Sequence, residues 1–160
     1  MTVPEKSDAS RFRFWSTWLE YACWAMALFG LLLVAFDTRA VPGLTEKLGQ
    51  SFWMIDKIPT GAARYHRFVN AVLGSVIVAW GATLAWLTRN AFAKREPWAW
   101  RAVASSVGIW VFLDTGSSAL LGVWPNVVLN LLSVAPFIPP LWFTRRYFQT
   151  TPESSEHAAK

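Results

Sequence analysis

Apolar stretches of roughly 20 residues, the length that crosses a bilayer as a helix, recur four times along this chain. The first runs from Phe14 to Phe36 and is interrupted only by Glu20. The second, Phe68 to Thr88, has no charge, and the third, Ala102 to Leu121, carries Asp114 alone. The fourth runs from Trp124 to Phe143. At a rise of ~1.5 Å per residue each reaches across a hydrocarbon core of ~30 Å. The pattern predicts an all-α integral membrane protein, a bundle of four transmembrane helices over about 14–36, 68–88, 102–121 and 124–143.

The third and fourth stretches are almost continuous. As one helix they would be ~60 Å long, about twice the membrane core, so the chain must fold back. Gly122-Val123-Trp124-Pro125 supplies the turn, with Pro suited to the first position of the next helix. The segment between the first two spans has turn signals at Pro42-Gly43 and Pro59-Thr60-Gly61. Between them Leu44, Leu48, Phe52 and Ile55 fall on one helical face, which predicts a short amphipathic helix on the outer surface. Residues 1–148 form the expected membrane domain, and 149–160 a disordered polar tail. The first span could be read as a signal peptide behind Lys6, Arg11 and Arg13, but its length, its tryptophans and the lack of a small-x-small cleavage site favour a retained helix.

Composition sharpens this. Only 16% of residues are charged, against about 25% in soluble domains, and there are eleven tryptophans. Trp15, Trp18, Trp86, Trp98, Trp100 and Trp142 fall near one boundary and read as an interfacial belt. The net charge of +5 comes from basic clusters flanking the spans, so no nucleic-acid partner is expected. Arg and Lys concentrate before span one, between spans two and three and after span four. This places both termini in the cytoplasm of a bacterial inner-membrane protein. One cysteine and two histidines leave no set for a metal site or bis-histidine haem, and no cofactor is expected.

The topology then assigns depth to polar groups. Arg67 and Asn70 in span two, Asp114, Ser117 and Ser118 in span three, and Asn126 and Asn130 in span four all fall in the outer half. Arg67, Asn70 and Gly74 share a stripe, as do Trp110, Asp114 and Ser117, and Asn126, Asn130, Ser133 and Phe137. Polar side chains turn away from lipid, so these three stripes are expected face to face, with Arg67 the best-placed partner for Asp114. A buried ionised carboxylate without a partner would cost several kcal/mol. Blander expectations attach elsewhere: Glu20 snorkels, His66 is interfacial, Gly74 and Gly81 allow close helix approach, and Pro136, Pro139 and Pro140 kink the last span.

Asp114-Thr115-Gly116-Ser117-Ser118 resembles the active-site turn of the pepsin and retropepsin family. That resemblance implies an all-β fold in which Asp114 shares a proton with a second Asp. It covers five residues, no second Asp-Thr/Ser-Gly triplet is present, and no glycine-rich flap follows. The span pattern, which uses nearly the whole chain, therefore carries the reading. The leading expectation is a non-enzymatic membrane protein whose outer-half polar cavity binds membrane lipid, a quinone or a partner's helix, a homo-oligomer included. Its alternatives are a membrane enzyme or proton-coupled carrier in which Asp114 titrates, and a structural subunit of a membrane complex.

Overall fold

The computed structural model describes residues 3–36 and 60–149. The expected amphipathic helix over Leu44 to Ile55 and the tail from residue 150 lie outside the described residues. Helices α1 (Val3–Phe36), α2 (Thr60–Leu87), α3 (Pro97–Leu120), α4 (Trp124–Val134) and α5 (Ile138–Thr144) follow in order, and no strand occurs among the described residues. Four helical stretches are long and apolar enough to cross a membrane: Ser7–Phe36, Thr60–Phe92, Pro97–Leu120 and Trp124–Phe148. Among the described residues the chain is all-helical, and by this measure it is a multi-pass membrane protein.

Two helices start earlier than their apolar runs. The 34 residues of α1 reach back to Val3, so the helix is ~51 Å long and overshoots the ~30 Å core. No Pro or Gly interrupts residues 5–29, so nothing stops the helix where charge begins. Likewise α2 begins at Thr60, taking in Arg64 to Arg67 that the apolar pattern leaves to the loop. A span is bounded by solvation, a helix by its breakers. Beyond Leu87 the backbone continues as a π-helical turn over Thr88–Phe92, with Ala93 N–H donating to Thr88 O at 2.9 Å. There the Thr88 hydroxyl is fully buried beside the Cys23 thiol.

The tightest packing joins α1 to α2. A Cβ on Gly74 would lie 2.6 Å from the Gly30 carbonyl oxygen, and one on Gly30 would lie 2.6 Å from that of Gly74. About two turns further on, a Cβ on Gly81 would meet the Ala27 nitrogen at 2.7 Å. The backbones are in contact, an approach that only glycine permits. Gly74 and Gly81 were expected to pack in this way; Gly30 is their counterpart on α1.

The α3–α4 hairpin turns as expected, with Gly122 at φ +72 and Pro125 in the first turn of α4. The proline kink is also present. After Val134 the chain tightens to a 3₁₀ turn over Ala135–Phe137, resumes as α5 and ends in a second 3₁₀ turn, Arg145–Phe148. Phe12, Leu19, Cys23, Leu84, Ala85, Phe92, Ala99, Val103, Val107 and Phe137 form the shared core. These residues lie toward the end of the bundle where α1 begins and Arg89, Lys94, Arg95, Arg101, Arg145 and Arg146 cluster, called here the basic end. Gly122 marks the opposite, hairpin end.

Candidate functional site

Asp114 lies in the hairpin-end half of α3, half-buried. Its Oδ1 accepts a hydrogen bond from Asn126 Nδ2 at 2.9 Å and one from Ser118 Oγ at 3.3 Å. Asn126 Nδ2 also donates to Ser118 Oγ at 2.8 Å. One turn deeper, buried Asn130 donates to Thr115 Oγ1 at a long 3.4 Å. These bonds tie α3 to α4. Both bonds to the carboxylate converge on Oδ1, and among the described residues Oδ2 accepts none.

The stripe of α2 does not join this group. Gly74 is spent on Gly30 and Val34 of α1, so the Arg67–Asn70–Gly74 face turns toward α1 and not toward the hairpin. Arg67 is exposed and forms no ion pair with Asp114; Arg146–Asp8 is the one salt bridge among the described residues. Backbone contact between glycines fixes the rotation of α2 more strongly than one polar pair does, because it involves a whole helix face. The expected convergence of three stripes is thereby corrected to two, from α3 and α4.

Within α3 the polar partner is Ser118, four residues on from Asp114, while Ser117 is exposed. Both lie near the face of Asp114 on a helical wheel, so spacing alone could not choose between them. Trp110 lies one turn deeper and meets Trp80 of α2 edge-on, with ring centroids 5.5 Å apart. Trp80 Nε1 donates to Ser106 Oγ at 2.7 Å. Neither Trp80 nor Ser106 stood out in the sequence, since both sit in uncharged runs.

Trp80 and Trp110 form the floor of an open wedge. The stripe of α2 that carries Trp80 continues toward the hairpin end through Val76, Leu73 and Val69, all exposed. The stripe of α3 that carries Ser106 and Trp110 continues through Leu113 and Ser117, also exposed. The two helices thus meet at the Trp pair, and their facing stripes are uncovered above it. Asp114 stands on the flank of this wedge, between Ser117 and the Asn126 contact.

The tryptophans of the basic end divide into two kinds. Trp86, Trp98 and Trp142 are exposed, as an interfacial belt requires. Trp18 and Trp100 instead donate their indole N–H to backbone, to Pro136 O and Leu141 O, each at 2.9 Å. Trp15 stacks on Phe143 at 5.0 Å. Nearby, Arg95 places its guanidinium 4.5 Å from the Phe12 ring centroid and 5.1 Å from that of Tyr147. Arg95 adopts φ +60, a strained conformation for a residue with a Cβ.

No cluster of three or more His, Cys, Asp or Glu side chains forms among the described residues. No family model, curated protein or solved structure matches this chain.

Proposed function

We propose that the chain is a non-enzymatic multi-pass protein of the bacterial inner membrane that docks a small amphipathic ligand, a lipid or a quinone, in the wedge between α2 and α3. The carrying observation is the pair of uncovered stripes above Trp80 and Trp110, flanked by a carboxylate whose Oδ2 accepts no hydrogen bond among the described residues. Apolar walls of Val69, Leu73, Val76 and Leu113 suit a hydrocarbon or ring body, while Ser117 and Asp114 suit a polar head. Asn126 and Ser118 already offset part of the cost of a carboxylate at this depth through Oδ1, and a ligand hydroxyl or a partner's donor at Oδ2 would offset more. Basic residues at one end of the bundle support an orientation with both termini in the cytoplasm.

Mass spectrometry of lipids and quinones retained by the purified protein tests the reading. A retained quinone or lipid that is lost from Ser117→Leu, which fills the wedge, and weakened in Asp114→Asn supports it. Retention unchanged in both variants sinks it.

An Oδ2 that accepts no bond among the described residues also fits a second reading, in which Asp114 takes up and releases a proton in a carrier or membrane enzyme. Asp114→Asn then abolishes activity without altering ligand retention. If a partner's helix fills the wedge instead, Ser117→Leu breaks a stoichiometric complex, and the chain is a subunit of a larger assembly.

A further inference from the structure

We propose that the outward face of α1 at the basic end holds the headgroup of an anionic phospholipid. Ser10, Arg13, Phe14, Thr17, Trp18 and Tyr21 line one shallow concavity there. Their spacings of three and four put them on one side of the helix. Arg13 is exposed and takes part in no ion pair among the described residues. Its planar guanidinium matches two phosphate oxygens. Ser10 and Thr17 add a hydroxyl one turn to either side.

The rest of the face suits an acyl chain. Phe14, Tyr21, Trp24, Leu28 and Leu31 are 57%, 71%, 43%, 56% and 54% exposed, and they continue the same side of α1 away from the basic end. Trp18 is held in place as one wall by its bond to Pro136. A second helix is a poor occupant, because close helix association in lipid uses small residues. The glycine of α1, Gly30, and its neighbour Ala27 are already spent on α2.

Charge selects the lipid class. The concavity holds a cation and no carboxylate. The nearby Asp8 is occupied by Arg146 at 2.7 Å. A headgroup with its own ammonium would meet this arginine with like charge, whereas phosphatidylglycerol brings none. This site lies at the opposite end of the bundle from the wedge and does not rest on the wedge being a ligand site.

The full chain is titrated in detergent with phosphatidylglycerol or phosphatidylcholine, and bound lipid is counted by native mass spectrometry. Phosphatidylglycerol is expected to bind preferentially, with about tenfold weaker binding in Arg13→Gln, the loss of a charge-assisted hydrogen-bond pair. Arg13→Lys is expected to fall between, and Arg89→Gln, a basic-end residue outside the concavity, to bind as the parent does. Equal losses in Arg13→Gln and Arg89→Gln mean diffuse attraction and overturn the proposal. So does equal binding of the two lipids, or a dimer in lipid nanodiscs that Tyr21→Ala dissociates. Unfolding of Arg13→Gln in phosphatidylcholine at the parent temperature checks that the variant is folded; if it is not, the comparison of Arg13→Lys with Arg89→Gln decides.

Discussion

The indole N–H of Trp18 donates to the carbonyl oxygen of Pro136 at 2.9 Å, across 118 positions of sequence. That carbonyl needs an outside donor because the residue four positions on is Pro140, which has no N–H to give. The proline-broken end of the last span is thus repaired by a side chain of the first. Trp18→Phe keeps the ring's bulk and removes the donor, and is expected to cost ~1 kcal/mol of stability. In a Pro140→Ala background, where the backbone regains a donor, the cost of Trp18→Phe should shrink. Denaturation of the four proteins in one detergent gives the coupling directly; equal costs in both backgrounds mean the bond carries no weight.

The glycines sort by what lies beyond them. Gly74→Ala and Gly81→Ala would each drive a methyl to within 2.6–2.7 Å of backbone atoms of α1. Such overpacking costs ~1–3 kcal/mol, and more when the obstacle is main chain. Gly108→Ala and Gly116→Ala on α3 meet nothing within 4 Å. Those two should be neutral or gain up to ~1 kcal/mol through helix propensity. Thermal unfolding of the four variants should split them into two pairs.

Removing the carboxylate of Asp114 and removing only its charge are different operations. Asp114→Ala leaves the Asn126 amide without its 2.9 Å acceptor and should destabilise by ~1–3 kcal/mol. Asp114→Asn keeps a carbonyl for Asn126 and spares the chain a charge in lipid, so it should unfold no more easily than the parent. An Asn variant as unstable as the Ala variant would show that the charge itself holds the hairpin.

Ser106→Ala should loosen the floor of the wedge. It strips the Trp80 N–H of its 2.7 Å acceptor, at ~1 kcal/mol or more. The local readout is hydrogen–deuterium exchange, expected to rise in α3 and stay unchanged in α1. A uniform rise in all helices would mean that Trp80 is not the link between α2 and α3.

Much of the architecture was legible because membrane spans obey one dominant rule. Apolar length gave the four crossings, Gly122 to Pro125 gave the hairpin, and Pro136 to Pro140 gave the kink. Asp114, Asn126 and Asn130 were found because the topology set their depth and the helical period set their faces. Arg67 and Asn70 share their stripe with Gly74, which meets α1 and not the hairpin, and spacing alone does not choose between two possible neighbours. The sequence shows the polar residues, Gly74 and Gly30, but not that Gly30 and Gly74 meet, which decides the helix that this stripe faces. The roles of Trp18 and Trp100 were hidden for a related reason: an interfacial indole and one that mends a carbonyl sit at the same depth. Only the partner distinguishes them.

At Gly30–Gly74 and again at Gly81–Ala27, α1 and α2 touch backbone to backbone. Helices interlocked at two such points cannot slide past each other. They tilt and turn as one rigid plank. Any rearrangement of the other helices then takes place against a fixed post.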